Sequence, residues 1–224
     1  MPEGAQGQFE RLLEALAAEP DPHTTVSEPD AAAEIHVADS LSGLEVSELR
    51  QARRIADLGA GAGFPGLVLA VAIPSAEVDL IESAGRRAAV GDRLLQAAQV
   101  TNARTVTARA EEWAAVPPAL GGGSGAYDVV TARAVAPLAV VVEYAAPLLK
   151  QGGVLVAWRG ARDAEAEAAG AAAAELLGMA VREVKRVVPF PGAERRHLHV
   201  FEKTGPTPDR FPRRPGMANK RPLG

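Results

Sequence analysis

The sequence predicts an α/β fold built on a mostly parallel sheet of seven strands, and two observations support this prediction. From residue 55 to residue 177, short apolar runs alternate with stretches of helical spacing, which is typical of βαβ units. Two later apolar runs are joined through the turn Pro189-Phe-Pro-Gly192, so we expect an antiparallel pair at one end of the sheet. Helices should then cover both faces of the sheet.

The chain begins with a segment that is predicted to be helical. Apolar residues recur at a helical spacing between Gln6 and Ala18, and a Pro-Asp-Pro triplet ends this helix. Asp30 is expected to cap a second helix that runs to about Leu41, because its side chain can accept from an early free N–H. These helices form an N-terminal extension over residues 1–50, ahead of a main domain over 51–203.

The alternation of apolar runs with stretches of helical spacing predicts where the remaining strands and helices lie. Strands are predicted at Ile55–Leu58, Val78–Ile81, Thr105–Thr107, Val129–Ala132, Val154–Trp158, Val181–Val188 and His197–Glu202. Helices are predicted at 65–72, 86–98, 137–149 and 162–177. The last 20 residues carry five prolines, and segment 204–224 is predicted to be a basic tail without regular structure.

Composition excludes several classes of protein. The 224 residues include no cysteine, which excludes disulfides, thiolate metal sites and a cysteine nucleophile, and fits a cytoplasmic protein. There is no apolar run of about 18 residues, so no membrane span is predicted. The N-terminus lacks the pattern of a signal peptide. Nothing in the chain requires more than a monomer.

Charge is unevenly distributed along the chain. Residues 1–50 hold 11 acidic and two basic side chains, whereas residues 195–224 hold eight basic and two acidic ones. A basic end on an acidic protein favours an anionic partner such as nucleic acid, although a solvated tail would show the same pattern. The candidate phosphate contacts for such a partner are Arg86, Arg87, Arg195, Arg196, Arg213 and Arg214.

A glycine-rich segment, Arg54-Ile-Ala-Asp-Leu-Gly-Ala-Gly-Ala-Gly-Phe-Pro-Gly66, predicts a cofactor site. Its glycines allow a tight turn and a close approach of ligand before a helix N-terminus. One register, Gly61-x-Gly63-x-x-Gly66, matches the dinucleotide pattern, with Glu82 about 20 residues further on. The other register, Asp57-x-Gly59-x-Gly61-x-Gly63, is the form found in S-adenosylmethionine methyltransferases.

Residues further along the chain favour the second register. Many hydride-transfer enzymes use Tyr-x-x-x-Lys, but Tyr127 is followed four residues later by Thr131, and Tyr144 by Leu148. Glu82 does not discriminate, because a carboxylate at that strand end can accept from ribose hydroxyls of either cofactor. A nicotinamide-dependent or noncatalytic nucleotide-binding protein remains an alternative.

Together with further motifs, the glycine-rich segment makes the chain resemble a known family, and the resemblance spans roughly residues 30–203. The motifs are Ile35-His-Val-Ala-Asp-Ser-Leu41, Asp57-Leu-Gly-Ala-Gly-Ala-Gly-Phe-Pro-Gly66, Glu82-Ser-Ala-Gly-Arg-Arg87, Ala110-Glu-Glu112, Thr131-Ala-Arg-Ala134 and Glu194-Arg-Arg-His197. They are similar to those of the bacterial 16S ribosomal RNA guanine-N7 methyltransferase family, also described as methyltransferase G or glucose-inhibited division protein B. The resemblance implies a Rossmann-like class I S-adenosylmethionine-dependent methyltransferase fold.

The resemblance also implies which residues bind the cofactor. Matched position by position, the family gives contacts at Gly59, Phe64, Ala110, Glu111 and Arg133. The general methyltransferase pattern adds Asp57, Gly61, Gly63 and Glu82. Arg133 is also the candidate catalytic residue, since it is expected at the end of the fourth strand, where doubly wound folds bind ligands. A structural salt bridge is the alternative role for Arg133.

The expected reaction is methylation of guanine N7 in 16S rRNA or the small ribosomal subunit. Guanine N7 carries an in-plane lone pair, so an in-line transfer needs positioning but no general base. The segment after the fourth strand lacks the Asn/Asp-Pro-Pro-Tyr/Phe loop common in amine methylation. His197 and His199 share a strand face without an evident third ligand, so no metal site is predicted, and neither is a DNA partner. A small-molecule methyltransferase on the same fold is the runner-up.

Overall fold

The computed structural model describes all 224 residues and has one seven-stranded sheet, in the order β3-β2-β1-β4-β5-β7-β6. The strands are β1 Arg54–Leu58, β2 Glu77–Ile81, β3 Ala103–Val106, β4 Tyr127–Arg133, β5 Leu149–Arg159, β6 Met179–Val187 and β7 Arg196–Lys203. Strands β1 to β5 pair in parallel, and β7 is antiparallel to both of its neighbours. The predicted α/β sheet with an antiparallel end is therefore confirmed.

The helices connect the strands and cover both faces of the sheet. They are α1 Ala5–Ala18, α2 Pro29–Ala32, α3 Asp39–Leu41, α4 Ser47–Gln51, α5 Gly66–Ala72, α6 Gly85–Ala97, α7 Ala110–Ala114, α8 Leu138–Ala145, α9 Ala164–Leu176 and α10 Met217–Lys220. A π-helical turn, Ala33–Ala38, joins α2 to α3, and 3-10 turns lie at Ser42–Glu45 and Pro118–Leu120. No helix combines the length and the apolar character needed to cross a membrane.

The strand order places the functional edge of the sheet. The order of the strands changes side at β1: β2 and β3 follow on one side of it, and β4 and β5 on the other. Strand β1 is parallel to both of its neighbours, β2 and β4. In doubly wound sheets the crevice beyond the carboxyl ends of such strands is where ligands bind. The loops that follow Leu58, Ile81 and Arg133 meet at this edge.

Two apolar cores lie on opposite faces of the sheet. The first joins α1 to α5 and α6, so Leu12 and Leu16 are fully buried. The second joins α8 and α9 to the end of the chain, where Phe211 is buried. Both terminal segments therefore share a core with the sheet.

The structure corrects one local prediction and refines another. Asp30 is not the cap of the second helix: Glu28 is, since its carboxylate accepts from the N–H groups of Asp30 and Ala31 at 3.3 and 3.0 Å. Pro29 follows at the first helical position, where its missing N–H is harmless. The tail, predicted to lack regular structure, is irregular except for α10, and it packs onto α8.

Candidate active site

The loop between β1 and α5 turns sharply on three glycines. Gly59, Gly61 and Gly63 have φ values of +61°, +58° and +102°, which side chains rarely allow. A Cβ at Gly61 would meet no protein atom closer than 3.9 Å, so the space in front of it is open. The turn therefore offers exposed backbone to a ligand.

Asp57 holds this turn from below. Its carboxylate accepts from the Gly66 N–H and from the Thr131 hydroxyl, each at 2.8 Å. Full burial raises the pKa of Asp57 to about 6, although both hydrogen bonds favour the charged form. Asp57 is 0% exposed, and its two hydrogen bonds join the loop, at Gly66, to β4, at Thr131.

Glu82 supports the same loop from β2. Its two carboxylate oxygens accept from the N–H groups of Gly61 and Ala84 at 3.1 and 2.8 Å. Arg87 on α6 lies 3.4 Å from the Glu82 carboxylate. Since an ionised carboxylate has about four acceptor positions, Glu82 can still receive hydroxyl donors from a ligand.

The first cleft is a depression of about 290 Å³ at the carboxyl ends of β1, β2 and β3. It is lined by Leu58, Gly59, Ile81, Glu82, Ser83, Arg87, Ala108, Arg109, Ala110, Glu111, Ala134, Val135, Tyr144 and Asn219. Buried carboxylates, small residues and exposed backbone therefore face one space. This combination suits a ligand with hydroxyls and a flat heterocycle.

A second cleft, of about 330 Å³, adjoins the first. It is lined by His23, Thr24, Ile35, His36, Asp39, Gly59, Ala60, Gly61, Ala62, Phe64, Arg87, Arg133, Ala134 and Arg196. Gly59, Arg87 and Ala134 line both clefts, which therefore meet there. Ala134 has φ +57°, a strained conformation for a residue with a Cβ.

Arg133 lines the second cleft, and its guanidinium nitrogens contact the N-terminal extension. One guanidinium nitrogen donates to the Ile35 carbonyl at 3.0 Å and to Asp39 at 2.9 Å. The other lies 3.2 Å from Nδ1 of His36, and the guanidinium carbon lies 5.8 Å from the Phe64 ring centroid. Arg133 thus joins β4 to the extension.

The contacts of His36 define its tautomer. Arg133 can only donate, so Nδ1 of His36 accepts, and Nε2 donates to the Val26 carbonyl at 2.9 Å. The ring stacks on Phe64 with centroids 4.5 Å apart. Burial lowers the pKa of His36 below its ordinary value, which favours this neutral form.

The candidate RNA contacts divide into two groups. Arg86 and Arg87 lie at the start of α6, and Arg195 directly precedes Arg196, the first residue of β7. Of these four, Arg87 lines both clefts and Arg196 lines the second. Arg86, Arg87 and Arg195 are exposed, and Arg196 is half-buried 3.4 Å from Asp39.

The remaining two candidates, Arg213 and Arg214, are adjacent in the tail but differ in environment. Arg214 is exposed. The Arg213 guanidinium is paired with Glu143 of α8, a carboxylate that is 3% exposed, with Nε to Oε1 at 2.6 Å. This pairing gives Arg213 a structural partner, so we leave it out of the proposed RNA surface.

Several residues that line the clefts were not predicted as site residues, among them Asp39, Ala134, Tyr144 and Asn219. Asp39 belongs to a motif that carries the family resemblance, but its ion pairs with Arg133 and Arg196 span the chain. Tyr144 and Asn219 reach the first cleft from α8 and α10. Ala134 has no sequence signal for its left-handed backbone. The available signal was that Asp39 and Ala134 both lie in motifs that carry the family resemblance.

Comparison with known proteins decides the family. Residues 8–198 match the family model of rRNA small subunit methyltransferase G. The chain belongs to this family. It is 38% identical over 200 residues to the ribosomal RNA small subunit methyltransferase G of Desulfitobacterium hafniense strain Y51, covering 89% of this chain and 81% of that protein. It is 41% identical to the protein of the same name from Rubrobacter xylanophilus, covering 88% of this chain and 75% of the relative.

Solved structures support the fold assignment. An S-adenosylmethionine-dependent O-methyltransferase from Thermotoga maritima superposes with a TM-score of 0.58 at 17% identity, covering 87% of this chain and 71% of that chain. The predicted class I methyltransferase fold is therefore confirmed. Membership of the family makes this chain a methyltransferase enzyme.

Proposed function

We propose that this protein transfers a methyl group from S-adenosylmethionine to N7 of a guanine in 16S rRNA. The observation that carries the proposal is the junction of the two clefts at Gly59 and Ala134, in a chain of the methyltransferase G family. One cleft suits a nucleoside and the other is lined by rings and guanidinium groups. A donor and an acceptor can therefore meet at the junction.

The first cleft supplies groups that fit the adenosine half of S-adenosylmethionine. Glu82 has spare acceptor capacity for the ribose hydroxyls, and Ala110 and Glu111 offer backbone polar groups beside the adenine. The open space before Gly61 leaves room for the methionine part. Gly59, Gly63 and Phe64 shape the turn around it, while Asp57 fastens the turn. When bound, S-adenosylmethionine supplies an electrophilic methyl group.

The second cleft is the proposed place of the target guanine. His36 and Phe64 stack on each other as a largely buried aromatic pair in the wall of this cleft. Arg133 has five N–H groups, so those that do not contact Ile35, Asp39 or His36 are left for a carboxylate or a phosphate. Guanine N7 keeps its lone pair in the plane of the ring, so the residues need only orient the base for in-line attack. Arg133 is the residue we propose to act closest to the transfer, by positioning donor and acceptor.

The RNA surface is proposed to surround these clefts. Arg86, Arg87, Arg195, Arg196 and Arg214 would contact phosphates, which predicts binding that weakens with salt. We propose that the substrate is 16S rRNA or the small ribosomal subunit, and that neither DNA nor membrane is a partner. We also propose that the protein acts as a monomer in the cytoplasm, with 1–50 and 204–224 as extensions of a catalytic domain over 51–203.

A transfer assay tests the proposal against a small-molecule methyltransferase. Labelled S-adenosylmethionine is supplied with unmodified small ribosomal subunits, with their extracted 16S rRNA, or with free guanine nucleotides. We expect label in 16S rRNA in at least one of the first two samples and none in the nucleotides. Arg133→Ala should abolish transfer, whereas Arg53→Ala, an exposed arginine ahead of β1, should not. Equal labelling of free nucleotides would contradict the proposal.

A further inference from the structure

The C-terminal strap, which we define as residues 204–224, is anchored to the body of the protein at several points. Phe211 and Ala218 are buried, at 8% and 0% exposure. The Arg213 guanidinium pairs with Glu143 and also donates to the Arg221 carbonyl at 2.9 Å, which closes the strap on itself. The strap lies beyond residues 8–198, which match the family model. It is therefore a built part of this fold that the family match does not describe.

Two contacts bring the strap to the first cleft. The Gly216 N–H donates to the Glu111 carboxylate at 2.8 Å, which ties the strap to the start of α7. The Asn219 side-chain amide and the Tyr144 hydroxyl lie 2.9 Å apart. Glu111, Tyr144 and Asn219 all line the first cleft. Through Asn219 the strap therefore contributes to the wall of the first cleft, which Ala110 and Glu111 also line.

The chemistry of Asn219 suits recognition of a base. A side-chain amide has a donor end and an acceptor end, and Tyr144 occupies only one of them, in either orientation of the amide. Asn219 is exposed, so the second end is accessible from the cleft. Adenine presents an amino donor next to a ring-nitrogen acceptor, and either one complements the unoccupied end.

We propose that the strap completes the adenosine site and that Asn219 hydrogen-bonds the adenine edge of the methyl donor. The inference rests on the proposed function, since it assumes that the first cleft takes the adenosine half. It assigns Asn219 as a cofactor-contacting residue and Gly216 as a residue that positions Glu111. The affinity of the protein for the methyl donor should therefore depend on the strap.

Calorimetric binding with two ligands tests this assignment. S-adenosylhomocysteine is compared with S-inosylhomocysteine, in which the adenine amino group is replaced by a carbonyl oxygen. Wild type should prefer the first ligand. In Asn219→Ala the affinity for S-adenosylhomocysteine should fall by about 3- to 10-fold, and the preference should shrink, as expected for one neutral hydrogen bond. Asp209→Ala, an exposed change on the same strap, should match wild type.

The outcomes separate this inference from the proposed function. Wild type that binds S-adenosylhomocysteine, with Asn219→Ala unchanged in affinity and preference, would overturn the role of Asn219 and leave the proposed function standing. Equal weakening for both ligands would indicate a merely structural strap and would also overturn it. Wild type that binds neither ligand would contradict the proposed function as well. Asn219→Leu, which keeps bulk without hydrogen bonding, replaces the alanine variant if that one does not fold.

Discussion

At the scale of single residues, the site depends on buried charges that support the ligand-facing backbone. Asp57 and Glu82 both accept N–H groups of the glycine loop, so each carboxylate fixes a turn that a ligand then meets. Their positions at the ends of β1 and β2 follow from the sequence pattern. Their partners do not, because Thr131 lies 74 residues from Asp57 in the chain.

Asp57 should make stability depend on pH in an unusual direction. Burial raises the pKa of Asp57 from 3.8 to about 6, so between these values the folded protein binds a proton that the unfolded chain releases. Its contribution to the free energy of unfolding therefore falls as pH rises through this window and is level above it. The change is on the order of 3 kcal/mol.

The matched variant is Asp57→Asn, which has similar shape but cannot ionise. Urea unfolding at about pH 4.5 and about pH 7.5 should show wild type losing stability relative to this variant as pH rises. A stability difference that is the same at both pH values would mean that Asp57 does not titrate in this way.

At the scale of elements, the glycine loop was the best-predicted part of the site. The spacing of Gly59, Gly61 and Gly63 indicated a tight turn, and all three have positive φ. Gly66 plays another part: a Cβ there would overlap Leu80 and lie 2.9 Å from the Asp57 carboxylate. A Cβ at Gly59 or Gly63 would likewise meet a side-chain atom closer than 3.0 Å, so Gly61 is the one glycine of this loop that faces open space.

A pair of alanine substitutions distinguishes these two roles. Gly66→Ala should lower the free energy of unfolding by about 3 kcal/mol, through overpacking and a disturbed hydrogen bond. Gly61→Ala should cost only about 1 kcal/mol for its backbone conformation, yet weaken S-adenosylhomocysteine binding, because its Cβ would enter the open space proposed for the methionine part. Thermal unfolding and calorimetry check both. Equal effects of the two substitutions on stability and binding would refute this division.

The strap is the element that sequence reasoning described least well. Its prolines and charges suggested a solvated tail, because composition does not reveal that Phe211 shares a buried core with residues of α8. Nor does it reveal that Arg213 pairs with Glu143, 70 residues earlier in the chain. Long-range packing of this kind overrides local propensity. For the same reason the sequence did not distinguish Arg213, which pairs with a buried carboxylate, from the exposed Arg214.

Arg213 and Arg214 form a matched pair for testing the strap. Arg213→Ala leaves Glu143 buried without its cation and should lower the free energy of unfolding by about 2 kcal/mol, less than for a fully buried pair because Arg213 is partly exposed. Arg214→Ala should change it by less than about 0.5 kcal/mol. Urea denaturation compares the two. Similar small effects would show that the strap is not anchored through Arg213.

At the scale of the whole molecule, both ends of the chain return to one edge of the sheet. The N-terminal extension brings His36 and Asp39 to the second cleft, and the strap brings Asn219 to the first. The sheet order and most element bounds were predictable, since they follow from periodicity. How the two ends close around the clefts was not, because that depends on contacts such as Arg133 with Asp39, 94 residues apart.

The identity of the methylated nucleoside tests the central claim most directly. Unmodified 16S rRNA, free or in small subunits, is incubated with the protein and labelled S-adenosylmethionine, digested to nucleosides and separated by chromatography with mass detection. The account predicts that the label appears as N7-methylguanosine. Label in another nucleoside, or none although the protein binds S-adenosylhomocysteine, would contradict it.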